Sequence, residues 1–79
     1  MSLQIFLSSS LRKYVANYDP AIGVELVVRK GMSVSEVCRQ LDIPTEPIKI
    51  VMVDGIGKSL GHVLEGNERI GLFPPVGGG

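Results

Sequence analysis

The stretch Ser33-Val34-Ser35-Glu36-Val37-Cys38-Arg39-Gln40-Leu41-Asp42-Ile43-Pro44 decides how this chain folds. Ser33 and Glu36 have the S-x-x-E spacing of a capping box, in which each side chain satisfies the other's orphan backbone N–H. Val34, Val37, Cys38 and Leu41 then recur at i, i+3, i+4 and i+7, one apolar stripe on one helix face. Pro44 is expected to stop the helix, because the residue before a proline is pushed out of the α region. The result is a helix of about ten residues, long enough to cover one face of a small sheet. A helix with a single stripe needs a single layer to bury it.

The segments on either side supply that layer. Leu3-Gln4-Ile5-Phe6-Leu7 alternates, with Leu3, Ile5 and Leu7 on one face and Gln4 and Phe6 on the other. Leu11 to Tyr18 has room for a helical turn, which Asn17-Tyr18-Asp19-Pro20 ends as turn chemistry. Val24-Glu25-Leu26-Val27-Val28 is β-branched and apolar, a second strand that makes a long-looped hairpin with the first. Beyond the connector Pro44-Thr45-Glu46-Pro47, the run Ile48 to Val53 is almost continuously apolar, which predicts a central strand. Asp54-Gly55 signals a tight turn. Leu60 to Leu64 reads as a short fourth strand or an irregular edge. Glu65-Gly66-Asn67-Glu68 is a further turn, and Arg69 to Phe73 is the last strand, with Ile70 and Leu72 on one face and Phe73 on the other.

Hairpin, helix, then two or three strands is the order of an α+β, ubiquitin-like β-grasp: a mixed four- to five-stranded sheet packed on one main helix. Residues 1–73 form this domain, and residues 74–79 are expected to be a flexible C-terminal tail.

Composition narrows the function classes. Seventy-nine residues make one small domain. Cys38 is the sole cysteine, so neither a disulfide nor a cysteine-built zinc site is available, which predicts a reducing, cytoplasmic location. Eight acidic and eight basic residues balance, leaving no electrostatic footprint for nucleic acid or anionic lipid. No apolar run reaches the length of a membrane span, and Leu3–Leu7 lacks the basic flank of a signal peptide.

The chain ends Phe73-Pro74-Pro75-Val76-Gly77-Gly78-Gly79. Prolines lack an N–H and cannot continue a sheet ladder, and the glycines then shed every side chain. With the element order, Val53-Asp54-Gly55 and the Glu65–Glu68 turn, this ending resembles the MoaD/ThiS family of ubiquitin-like sulfur carriers. The Phe-Pro-Pro ending is most similar to the small subunit of molybdopterin synthase. Asp54 stands where that family often has Asn, and Gly77 where Ala or Ser is common.

The resemblance implies that the Gly79 carboxylate, with Gly78 completing the motif, is adenylated by an ATP-dependent activating enzyme. It is then converted to a thiocarboxylate that donates sulfur. Such a chain is not an enzyme by itself and holds no cofactor or metal; its partners are the activating enzyme, a sulfur source and a large subunit of molybdopterin synthase or another sulfur-accepting enzyme. A terminal carboxylate, with pKa about 3.3–3.7, is ionised and a poor electrophile at neutral pH, so activation has to come from outside. The thiazole and cysteine pathways of sulfur transfer, and isopeptide modification of other proteins, stay open as alternatives.

Phe6 and Phe73 both face away from the helix, and neighbouring first and last strands bring the two rings together at the root of the tail. Two readings stay open: ordinary exposed aromatic surface, or a docking patch for the partners, formed with Pro74, Pro75, Val76 and Gly77. The remaining candidates read as structural. Gly57-Lys58-Ser59 resembles the end of a phosphate-binding loop, but Met52 stands where the first glycine belongs and Gly61 discourages a following helix. Cys38 belongs to the apolar stripe, and His62 has no triad companions. Arg12, Lys13, Arg29 and Lys30 form a solvated face or a basic edge.

Overall fold

A computed structural model describes residues 2–75. The elements run β1 (Ser2–Leu7), a 3-10 helix (Ser9–Tyr14), β2 (Val24–Val27), α1 (Val34–Gln40), β3 (Ile50–Val53), β4 (Ile56–Lys58) and β5 (Arg69–Phe73). The five strands form one sheet in the order β2-β1-β5-β3-β4. The β1–β5 pairing is parallel and the other three are antiparallel, so the sheet is mixed. This is the β-grasp.

Helix α1 begins as its sequence dictates. Ser33 Oγ accepts the Glu36 N–H at 3.2 Å, and Glu36 Oε1 accepts the Ser33 N–H at 3.0 Å. Its end comes earlier than expected. Asp42 adopts a left-handed φ of 59°. Its N–H reaches Arg39 O at 3.1 Å, and the N–H of buried Ile43 reaches Cys38 O at 2.8 Å. These two bonds make a Schellman stop with aspartate where glycine is usual. The helix is therefore seven residues long, and Asp42 ends it two positions before Pro44.

Val34, Val37 and Cys38 from α1 meet Leu3, Ile5 and Leu7 of β1, Val51 and Val53 of β3 and Ile70 and Leu72 of β5 in one core. Leu11 of the 3-10 helix and Leu64 are fully buried and close the core at its margins.

Strand β3 is interior, flanked by β5 and β4, while the middle of the sheet is β5, where the parallel β1–β5 pairing lies; Ile50 at the start of β3 is left exposed. The fourth strand is Ile56–Lys58, which returns directly from the Asp54-Gly55 turn. Leu60–Leu64 is not a ladder strand. It crosses the N-terminus of α1, where Leu60 O and His62 O accept the orphan N–H groups of Ser35 and Val34 at 2.9 and 3.1 Å. A single bridge, Ser33 to Val63, joins it to the helix entry.

Candidate functional site

The sheet face opposite α1 is built from alternate residues of the inner strands. Strand β5 exposes Arg69, Gly71 and Phe73 on this face while burying Ile70 and Leu72. Gly71 is opposite Phe6 on β1 and opposite Met52 on β3, and Phe73 is opposite Ile50. One row across three strands is thus Phe6, Gly71, Met52. Phe6 and Met52 are partly buried; Phe73 and Ile50 are exposed.

Gly71 is the floor of this row. A Cβ added there would come 3.1 Å from Phe73 Cε1 and 3.8 Å from Met52 Cβ, so the Phe73 ring folds back over a bare backbone. At the other end Arg69 places its guanidinium carbon 4.4 Å from the centroid of the Phe6 ring, within cation–π range. Gly23 makes room for that ring: with φ at 77°, a Cβ there would lie 3.1 Å from two ring carbons of Phe6 and 2.5 Å from Ile5 O. The result is a shallow groove of about 220 Å³ lined by Phe6, Met52, Arg69, Gly71 and Phe73. The two aromatic residues expected to share a patch line one groove, and Met52, Arg69 and Gly71 join them.

This face sits at the root of the tail. Ser8 N–H donates to Leu72 O at 3.2 Å, and Lys49 N–H donates to Phe73 O at 2.8 Å, so the sheet holds the chain up to the Phe73 carbonyl. Pro74 follows with no N–H to offer, and the ladder ends. Pro74 is partly buried and Pro75 exposed. Val76, Gly77, Gly78 and Gly79 lie outside the described residues.

The other candidate groups have structural employment. The Arg12 Nε–H donates to Leu7 O at 3.1 Å, and the Tyr18 hydroxyl accepts the Leu7 N–H at 2.7 Å; together they secure the end of β1. Arg12 and Lys13 therefore lie at the Leu7 end of the sheet. Arg29 and Lys30 follow Val27, which is opposite Ser2 at the other end. The four basic residues form no single edge, and Lys30 pairs with Glu65 at 3.3 Å on the surface. Burial pushes the Cys38 thiol up to about 11, which suits a core residue and not a nucleophile. Gly57 and Lys58 are edge-strand residues, so no phosphate loop forms. Among the described residues no three His, Cys, Asp or Glu side chains converge on a possible metal position, and no helix is long and apolar enough to cross a membrane.

One charged group escaped the sequence reading. The Glu68 carboxylate is buried and accepts N–H groups of Glu65, Gly66 and Asn67 at 2.7, 2.8 and 3.1 Å. Burial raises its pKa, but the backbone donors together outweigh that and hold it below the ordinary glutamate value. It locks the turn that feeds β5.

Three of the solved structures similar to this chain show the likeness. SAMP1 from Haloferax volcanii is similar at a TM-score of 0.70 with 21% identity, covering 100% of both chains. The solution structure of the Haloferax volcanii HVO 2177 protein is similar at 0.71 with 18% identity, covering 100% of this chain and 87% of that one. A Pyrococcus furiosus chain provisionally described as molybdopterin converting factor, subunit 1, is similar at 0.65 with 15% identity, covering 95% of this chain and 98% of its own. At these identities the likeness concerns the fold. No curated protein sequence matches the chain. The model of the ThiS family matches residues 13–79, from the 3-10 helix to the last glycine. This chain belongs to the ThiS family.

Proposed function

We propose that this protein is a sulfur carrier whose C-terminal Gly79 carboxylate is the working group, and that it serves molybdopterin synthesis as the small subunit of the synthase. The observation that carries this reading is the family match extending through the terminal glycines, on a fold whose central strand ends at Phe73 and leads into them. The Phe-Pro-Pro ending and the likeness to the Pyrococcus furiosus chain support the choice of pathway.

The chemistry falls to the tail, and the domain supplies the grip. An activating enzyme adenylates the carboxylate: the Gly79 oxygen attacks the α-phosphorus of ATP and pyrophosphate leaves. The outer sulfur of a persulfide then displaces AMP to give an acyl disulfide, and a thiol cleaves its S–S bond, releasing the terminal thiocarboxylate and leaving a disulfide behind. Transfer of that sulfur to the acceptor, with water supplying the replacing oxygen, regenerates the carboxylate. Gly77, Gly78 and Gly79 pass where side chains do not fit, and Pro74 and Pro75 stiffen the base of the thread. The groove of Phe6, Met52, Arg69 and Phe73 docks the body of the domain on each partner. On its own the chain catalyses nothing.

Intact-mass analysis of the protein from its native cell tests the reading. A sulfur-for-oxygen exchange at Gly79 and co-purification of a molybdopterin synthase large subunit are the expected results. Sulfur at Gly79 with another acceptor moves the protein to the thiazole or cysteine pathway. Gly-Gly remnants on lysines of other proteins, with no sulfur at Gly79, favour the modifier reading, which the likeness to the Haloferax volcanii small archaeal modifier protein 1 supports. If neither mark is found and deletion of Gly79 leaves cofactor synthesis intact, the carrier reading is wrong.

A further inference from the structure

We propose that the free edge of β2 is a self-association surface, on which two copies of this chain pair antiparallel about a two-fold axis at Val27. The sheet has two ends, β2 and β4, and they differ. Strand β4 is three residues long and carries Gly57 and Lys58, the short, charged form by which edge strands avoid pairing. Strand β2 is Val24-Glu25-Leu26-Val27, with no proline, glycine or lysine. Val27 is 75% exposed, more than any other large hydrophobic side chain among the described residues. Val24, Leu26 and the following Val28 pack against the core, so burial fixes which face each β2 residue presents.

The sequence around Val27 is complementary to itself. Glu25 lies two residues before it and exposed Arg29 two residues after it. An antiparallel pairing centred on Val27 sets Val27 against Val27 of the second copy. Leu26 then meets Val28 on the helix side. Glu25 meets Arg29 of the second copy, and symmetry repeats the pair. Opposed charges directly across two strands favour pairing, and like charges oppose it. Moving the axis by one residue sets Val27 against Glu25 or against Arg29, and a half-residue shift would put residues of opposite faces together. Only one register matches both charge and face. Glu25 keeps an oxygen available, since its one side-chain partner is Ser2 Oγ at 3.2 Å, and Arg29 makes no salt bridge among the described residues.

The geometry leaves the tail free. The two-fold axis reverses the second copy, and because β1 and β5 run parallel the two Phe73 ends emerge at opposite ends of a ten-stranded sheet. The Phe6–Phe73 groove lies inward of β2 in each copy and stays open. A contact made by one short strand falls below the roughly 1,200 Å² of stable interfaces, so the dimer is weak and transient.

Sedimentation equilibrium of the full chain from about 10 μM to about 1 mM, the range suited to a small transient interface, reads the association directly. The average mass is expected to rise from 8.5 kDa toward twice that value. V27K, E25R and R29E each hold the protein at the monomer mass, with native amide spectra showing that the fold is kept. The double reversal E25R/R29E restores association, and an equimolar mixture of E25R with R29E forms the heterodimer. A wild-type chain that stays monomeric at 1 mM overturns the proposal and leaves the β2 edge to a different partner. So does a charge reversal without effect, or a mixture that fails to associate.

Discussion

Asp54 and Arg69 close the end of the central strand on each other: the Asp54 N–H donates to Arg69 O at 2.8 Å, and Asp54 Oδ1 accepts the Arg69 N–H at 3.0 Å. Asp54 does this from a left-handed φ of 51°, followed by Gly55 at 82°, the two positive values of a type I′ hairpin. One residue thus shapes the β3–β4 turn and sets the start of the strand that leads to the tail. Replacing Asp54 by Asn keeps an oxygen acceptor and tolerance of this conformation, and is expected to change stability by less than about 0.5 kcal/mol. Asp54→Ala loses the side-chain bond and keeps the strain, at a cost of about 1–3 kcal/mol. Urea unfolding of the two variants distinguishes these outcomes.

Gly71 tests whether the groove, and not merely the tail, is used. Gly71→Ala puts a Cβ 3.1 Å from the Phe73 ring and forces the ring off the floor of the groove. The ring is at the surface and has room to move, so stability is expected to shift by no more than about 1 kcal/mol. Calorimetric affinity for the activating partner is expected to fall at least about tenfold, as displacement of an aromatic anchor does. Unchanged affinity means that the face is not the docking surface.

Truncating the aromatic residues themselves separates binding from folding. Phe73→Ala removes a ring that is 37% exposed, and is expected to weaken partner binding by about 1–2 kcal/mol with a smaller loss of stability. Phe6→Ala also strips the Arg69 guanidinium of its ring, adding about 0.5–1 kcal/mol of lost cation–π contact. If neither variant alters partner affinity, the tail alone carries recognition.

The Glu68 carboxylate makes stability depend on pH in a defined direction. Its pKa is held below the ordinary value of 4.5 in the folded state. The unfolded chain therefore binds its proton first, and the stabilisation, complete above about pH 5, is lost as pH falls below 4.5. Glu68→Gln sets an amide against three N–H donors, with an expected cost of about 1–2 kcal/mol at pH 7. Thermal melts across pH 3–7 are expected to show a flatter acid limb in that variant.

Cys38 is fully buried and its thiol is pushed up to about 11. A thiol reagent is expected to label it no faster than the domain unfolds, with the rate rising in urea. Fast labelling at neutral pH in water contradicts the packed stripe.

The elements legible in the sequence were those set by local rules. The capping box needs Ser33 and Glu36 alone, and the alternation in Leu3–Leu7 and Arg69–Phe73 assigns each side chain to a face before any partner is known. The same alternation applied to Ile50 and Met52 would have added them to the sheet face that carries Phe6 and Phe73; the continuous apolar run of β3 concealed it. The helix stop was misplaced because Asp42 in a left-handed conformation has no strong sequence signal, whereas Pro44 does. Leu60–Leu64 was ambiguous because its carbonyls answer to the N–H groups of Val34 and Ser35, a distant demand that no local pattern carries.

By itself the sequence determined the helix start, the two faces of β1 and β5, the single buried thiol and an ending that has shed its side chains. These follow from periodicity and from the chemistry of Pro and Gly, which act over a few residues. Only the tertiary structure decided that β5 lies at the centre and that Phe6, Met52 and Phe73 gather around the bare backbone of Gly71. It also decided that Glu68 turns inward onto three N–H groups. Strand order and register join residues far apart in the chain, and that pairing is selected by burying the core as a whole, not by any one segment.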